Sequence, residues 1–170
     1  MNVWVQKSRL HLKGGRRGWH CSAYLDGTEG DRDKPFPSGG RNSTKSPQSM
    51  AYIRQVRPGD LIVLFQVDDD AIHALSQADS AGMEADPGSG EFNLFMLKPA
   101  ETAFRLRNAL TVEKLRETGC SPECFGKGMR GRLFPLKPEE LVGILKAIPM
   151  INPDQQKELS AWVQQRSAQA

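Results

Sequence analysis

Two apolar runs on either side of three consecutive aspartates narrow the choice of folds more than any other stretch of this sequence. Leu61 to Val67 is apolar at nearly every position and Ile72 to Ala78 alternates, with Asp68-Asp69-Asp70 between them. A strand that is apolar throughout needs cover on both faces. A polar gap this short joins neighbouring strands as an antiparallel hairpin, because a parallel return needs a crossover of a dozen or more residues. The hairpin is therefore expected at the centre of a sheet, entered through the turn Arg57-Pro58-Gly59-Asp60.

The other segments supply edges and cover. Val3 to Lys7 is a short β-rich run expected as a first strand, and Phe92 to Leu97, Thr102 to Leu106 and Arg132 to Leu136 read as further strands. Thr111 is placed to cap a helix that opens with Val112-Glu113-Lys114 and ends at Gly119, and Ser46 with Pro47 opens a short helix to Arg54. Leu141, Ile144, Leu145 and Ile148 recur at helical spacing, as do Leu159, Trp162 and Val163, so both Pro138 to Ile148 and Asp154 to Gln165 are expected as amphipathic helices. Leu25 to Pro47 and Ser80 to Glu91 are rich in Gly, Pro and Ser without an apolar period, and loops of that length are usually kept for binding.

A chain of 170 residues suits one domain, with 38% hydrophobic and 25% charged residues placing it among globular proteins. The organisation expected is one domain over residues 1–150 and a C-terminal helix with a short polar tail over 151–170, packed on it. No apolar run approaches the roughly 20 residues of a membrane-spanning helix, and Met1 to Leu10 lacks the apolar stretch of a secretory signal, so a cytoplasmic protein without a membrane partner is expected. Three cysteines, Cys21, Cys120 and Cys124, do not make a disulfide framework.

The net charge of +3 does not mark a nucleic-acid binder, but its distribution is uneven. Lys7, Arg9, Lys13, Arg16 and Arg17 follow one another with no acid between them, and so do Lys127, Arg130, Arg132 and Lys137.

The order of several motifs resembles the EVE and YTH families of the PUA-like superfamily over Asn2 to Ile148. Val3-Trp4-Val5-Gln6-Lys7-Ser8 is similar to the opening EVE strand that ends in Lys-Ser. Ser38-Gly39-Gly40-Arg41-Asn42, followed by Gly59-Asp60 and the strand Leu61 to Phe65, is similar to an EVE Gly-x-Arg-Asn loop before a buried strand. Ile72 to Ala78, Gly90 to Leu97 and Leu133 to Glu140 continue the likeness, with Ala74 where a glycine is usual. The resemblance implies an α+β fold, a PUA-like partly open β-barrel of five or six strands with flanking helices. It also implies a nucleic-acid-binding module that holds one modified base in a pocket, modified cytosine in DNA ahead of methylated adenine in RNA.

A protein that reads one base must extrude it, stack it and meet its edge with fixed polar groups. Trp4, Lys7, Ser8, Trp19, Phe36, Ser38, Asn42 and Ser43 are the candidates for such a pocket, with Asn42 first for the base edge because its amide both donates and accepts. EVE proteins carry a tryptophan shortly before the Arg-Asn loop. Here Pro37 stands there, which leaves the aromatic wall to Phe36, Trp19 or Tyr24. Arg41, Lys127, Arg130 and Arg132 are the candidates for phosphate, which asks only for positive charge. As bland counterparts, Trp4 reads equally as core, Asn42 as a turn residue and the basic run as a solvated face.

Cys21, Cys120, Cys124 and His20 have zinc-ligand chemistry at a loose spacing, and no metal site is expected from them. No nucleophile motif surrounds His11, His20 or His73, and neither Gly39-Gly40-Arg41 nor Gly126-Lys127-Gly128 has the spacing of a phosphate-binding loop, so no cofactor is expected. The alternative function is a small amidohydrolase of the ASCH-like type acting on a modified nucleoside, for which the resemblance offers Lys7, Thr44 and Glu91.

Overall fold

The computed structural model describes residues 1–11, 15, 18–27, 51–84, 92–93, 95–126, 129 and 131–167. Five strands form one mixed, open sheet: β1 (Val3–Ser8), β2 (Leu61–Gln66), β3 (Ala71–Gln77), β6 (Phe104–Thr111) and β7 (Leu133–Pro135), in the order β6-β3-β2-β1-β7. Two short strands, β4 (Met83–Glu84) and β5 (Phe92–Asn93), pair separately. Among the described residues the helices with both ends placed are α1 (Cys21–Asp26), α2 (Val112–Glu117), α3 (Pro138–Ile151) and α4 (Gln156–Ser167). The fold is of the expected α+β class, and none of the described helices is long and apolar enough to cross a membrane.

The aspartate-rich turn does what its composition requires. β2 and β3 are antiparallel and central, every residue of β2 is buried, and Asp70 closes the turn at φ 47°, a left-handed conformation that Asp tolerates. β1 then joins β2 in parallel, Val3 opposite Leu61 and Ser8 opposite Gln66, and takes β7 antiparallel on its other side. The entry turn fixes that parallel pair. Gly59 sits at φ 87°, and the buried carboxylate of Asp60 accepts from the Trp4 indole at 2.9 Å, the Asn2 backbone at 2.8 Å and the Arg57 backbone at 3.0 Å, so the starts of both strands hang on one side chain.

Cover lies on both faces, as an all-apolar β2 demands. One core holds Val5, Val63, Phe65, Ile72, Leu75 and Phe134 with the apolar faces of α2, α3 and α4, including Leu159 and the half-buried Leu141, Leu145 and Trp162. The other holds Trp4, Ile62, Leu64, Ala74, Cys21, Ile53 and Phe95. Of the expected helix from Pro47 to Arg54, residues 51–53 are helical and the rest of it lies mostly outside the described residues.

β6 starts at Phe104, not Thr102, because a 3₁₀ turn at Ala100–Thr102 follows Pro99, and it runs on through the polar Arg107 and Asn108. The outer edge of that extension is paired by side chains. Asn152 exchanges two hydrogen bonds with the Asn108 backbone, and Gln155 accepts from Arg107 N–H and donates to the Arg105 carbonyl, all at 2.8 to 3.0 Å. Backbone groups of an edge strand occupied in this way are closed to pairing with another chain over that stretch.

His73 is skipped in the register on both sides: Leu64 faces Ala74 while Phe65 faces Ile72, and on β6 Leu110 faces Ile72 while Arg105 faces Ala74. A β-bulge of this kind re-aims a side chain and bends the strand.

Candidate functional site

The C-terminal ends of β1 and β2 meet the entry to β7 and the turn before β3. The first polar residue there is Gln66, wholly buried because it closes an otherwise apolar strand against α1. Its Oε1 accepts from Cys21 N–H at 3.0 Å, and its amide nitrogen donates to Asp68 Oδ2 at 2.6 Å and to the Trp19 carbonyl at 3.4 Å. Asp68 in turn accepts the backbone N–H groups of Leu10 and His11. Burial works against its ionisation, but these donors outweigh burial and hold its carboxyl below the ordinary range.

These bonds anchor both ends of the first basic segment. Gly18 N–H returns to the Leu10 carbonyl at 2.7 Å and Trp19 N–H to that of Arg9 at 3.0 Å. Arg9 is exposed and Trp19 half-buried on the second core. Lys13, Arg16 and Arg17 lie outside the described residues.

On the other side of β1, Arg132 enters β7 and its carbonyl accepts Lys7 N–H at 2.7 Å. Burial lowers the pKa of its guanidinium, and among the described residues that group has neither an ion pair nor a hydrogen bond. A partly desolvated cation without a counter-charge is costly to keep and is a ready partner for an anion.

Of the residues expected in the base pocket, the structure describes four. Trp4 is a core residue at the other end of β1, 3% exposed, with its ring 6.1 Å from Tyr52 and its N–H on Asp60. Its placement makes it a spacer in the second core, not an exposed wall. Lys7 and Ser8, both candidates for the pocket, do not face the same side, since adjacent strand residues point to opposite faces of the sheet. Lys7 points into the first core, 8% exposed, where its ammonium donates to the carbonyls of Cys124 and Met129 and stands 4.8 Å from the Phe134 ring. Desolvation lowers its pKa. Ser8 is buried at the strand end beside Gln66, and Trp19, whose carbonyl accepts from the Gln66 amide, is half-buried. Tyr24, the other aromatic candidate, spends its hydroxyl on Ser76 and the Lys98 carbonyl, and burial raises its pKa. Phe36, Ser38, Arg41, Asn42 and Ser43 lie outside the described residues, as do Lys127, Arg130, Thr44 and Glu91.

The four residues with zinc chemistry do not gather. Cys21 is buried in the second core and Cys124 in the first, so the sheet separates them, and the Cys120 thiol donates to the Glu140 carbonyl at 3.6 Å. His20 instead meets two residues that sequence reading did not connect, Asp69 and His73. His20 caps the start of α1, where its Nδ1 accepts from Ser22 N–H at 3.1 Å. Burial is the main cause that lowers the pKa of His73, ahead of the opposing charge of Asp69. The sequence signals for this cluster are a histidine in the alternating strand and the aspartate run before it.

No protein-family model and no curated protein matches the chain at a significant level. Solved structures do match in fold. The DUF55 domain of human thymocyte nuclear protein 1 superposes with a TM-score of 0.60 at 13% identity, covering 85% of this chain and 96% of that one. The human thymocyte nuclear protein 1 solved in complex with 5-methylcytosine-containing DNA gives 0.56 at 14% identity, over 86% and 96%. Protein Atu2648 of Agrobacterium tumefaciens gives 0.58 at 14% identity, over 88% and 92%. The likeness covers nearly the whole of each structure, so this chain shares the fold of these proteins.

Proposed function

We propose that the protein is an EVE-type reader that binds DNA and recognises a modified base, with modified cytosine as the base. The observation that carries the reading is Arg132, a half-buried guanidinium that has no counter-charge among the described residues, at the mouth of β1 and β2. An anion is what that arrangement lacks, and a phosphate backbone supplies anions at regular spacing. The similarity in fold to a protein solved on 5-methylcytosine DNA supports modified cytosine over other bases.

In this reading Arg132, with Arg41, Lys127 and Arg130, holds phosphates. Ser8 and Trp19 form the fixed part of the base pocket, and Phe36, Ser38, Asn42 and Ser43 complete it, Asn42 at the base edge. Trp4 and Lys7 act behind the site as structural supports. The buried ammonium of Lys7 is engaged with two carbonyls, which gives no support to an amidohydrolase that would need it free.

The test is fluorescence anisotropy with DNA and RNA oligonucleotides of one sequence, carrying cytosine, 5-methylcytosine, 5-hydroxymethylcytosine or N6-methyladenine, at several salt concentrations. Tighter binding to a modified cytosine in DNA is expected. Arg132→Ala should weaken all DNA oligonucleotides alike and reduce the slope of log affinity against log salt by about 0.9. Asn42→Ala should abolish the discrimination. Equal affinity for all oligonucleotides, or release of a base or nucleoside on incubation, would refute the reading.

A further inference from the structure

Three ligand-bearing side chains that base reading does not use meet beside the turn between β2 and β3. His20 Nε2 and His73 Nε2 each lie 2.8 Å from the same atom, Asp69 Oδ2. All three donor atoms lie within 4.8 Å of one another, and the two rings stand edge to face with centroids 5.2 Å apart. Separate pieces of the fold bring them there: His20 from the cap of α1, Asp69 from the hairpin turn and His73 from the bulge that sets it outside both strand registers.

The two histidine contacts differ. That of His20 is a hydrogen bond. Nε2 of His73 is buried and lies 2.8 Å from the same oxygen, its approach too far off line for a good N–H···O bond. A buried polar atom so poorly satisfied is rare, and an ion is one of the things that accounts for it.

We propose that His20, Asp69 and His73 bind one divalent ion of the zinc class. Two imidazoles and a carboxylate suit Zn²⁺ and its first-row neighbours, whereas Mg²⁺ and Ca²⁺ take sites built from oxygen. Three protein ligands are the number at which zinc keeps a fourth position for water or another donor. The half-exposed Asp69 carboxylate, 41% accessible, leaves that position on the solvent side. In a tetrahedral site with bonds of about 2.0–2.1 Å the ligand atoms stand about 3.3 Å apart, so binding opens each 2.8 Å contact by about half an ångström.

The proton balance closes on His20 itself. Without the ion its Nδ1 accepts from Ser22 N–H and its Nε2 proton points at Asp69. With the ion on Nε2, that one proton sits on Nδ1 and is donated to Ser22 Oγ, 2.8 Å away, so Ser22 N–H gives up its ring acceptor, and His73, bound through Nε2, likewise carries its single proton on Nδ1. No proton is released from a neutral ring. The ion ties the start of α1 to the hairpin turn.

The test uses the full chain, stripped with a chelator and titrated with ZnCl₂ by calorimetry. One equivalent is expected to bind and to raise the unfolding temperature. His73→Gln and Asp69→Asn should each weaken binding about tenfold or more and lose the thermal shift. Cys120→Ser should leave both unchanged. If a variant does not fold, the wild-type imidazole nitrogens decide: on zinc addition the Nε2 resonances of His20 and His73 should move together. Absence of binding up to millimolar Zn²⁺, unchanged affinity in both variants, loss in Cys120→Ser, or unmoved imidazole resonances would overturn the proposal.

Discussion

Replacing Cys124 by alanine should reverse the order of stability between neutral and alkaline pH. The thiol is 5% exposed, and burial pushes its pKa from 9.0 up to about 12, with the nearby charge of Lys7 pulling the other way. In the unfolded chain the thiol ionises from about pH 9, while in the fold it keeps its proton, so the unfolded state binds fewer protons above pH 9. The contribution is complete below pH 9 and declines as pH rises towards 12. At pH 10.5 the loss amounts to 1.5 pH units at about 1.36 kcal/mol each, or about 2 kcal/mol. Alanine removes that loss together with a buried sulfur worth roughly 1 kcal/mol. The variant should therefore be less stable than wild type by roughly 1 kcal/mol at pH 8 and more stable by about the same amount at pH 10.5. Urea unfolding followed by circular dichroism at the two pH values measures this. Cys21 and Tyr24, both raised by burial, titrate in both proteins and cancel, so the difference reports the Cys124 thiol together with its coupling to Lys7. Two profiles that stay parallel from pH 8 to 10.5 would refute the argument.

Two further outcomes test the frame of the fold. Asp60→Ala leaves the Trp4 indole and the backbone N–H groups of Asn2 and Arg57 without their acceptor. At about 1 kcal/mol or more for each orphaned donor, it should cost about 3–5 kcal/mol by denaturant unfolding, and Trp4→Phe in the same background should cost less than it does in wild type. Trp162→Ala removes a half-buried ring packed on Phe104 and Arg166 and a hydrogen bond to the Thr102 carbonyl, for about 3 kcal/mol, whereas Trp162→Phe loses mainly the bond, about 1 kcal/mol; equal midpoints for the two variants would contradict this division.

The parts of the structure that follow from local chemistry were legible in the sequence. Arg57-Pro58-Gly59-Asp60, the three aspartates and the Thr111 cap each carry their geometry in their own residues. The spacing of Leu159 and Trp162 likewise set the apolar face of α4. Pairing across distance was not legible: nothing in Val3 to Ser8 says that it runs parallel to Leu61–Gln66, because periodicity records which side is buried and not beside what. Trp4 illustrates the limit, as an aromatic residue in a strand fits a core and a stacking wall equally well. Lys7 and Ser8 illustrate a signal that was available, since alternation in a strand already sets neighbours on opposite faces. His20, Asp69 and His73 share no motif, and the cap of α1, the hairpin turn and the bulge at His73 together make them neighbours.

The placement of β1 also sets an order of assembly. β2 and β3 are joined by a four-residue turn, so they can pair as soon as both have been made, and β6 can then add to β3. β1 must fit between β2 and β7, and its parallel partner begins at Leu61 while its antiparallel partner begins at Leu133. Both loops have to close before those contacts repay the entropy lost, which makes such pairing slow compared with a hairpin. The ribosome therefore releases Trp4 and Val5 long before the slot that buries them exists. β1 precedes both of its partners in the chain, so it lacks its antiparallel neighbour until Leu133 to Pro135 has been made.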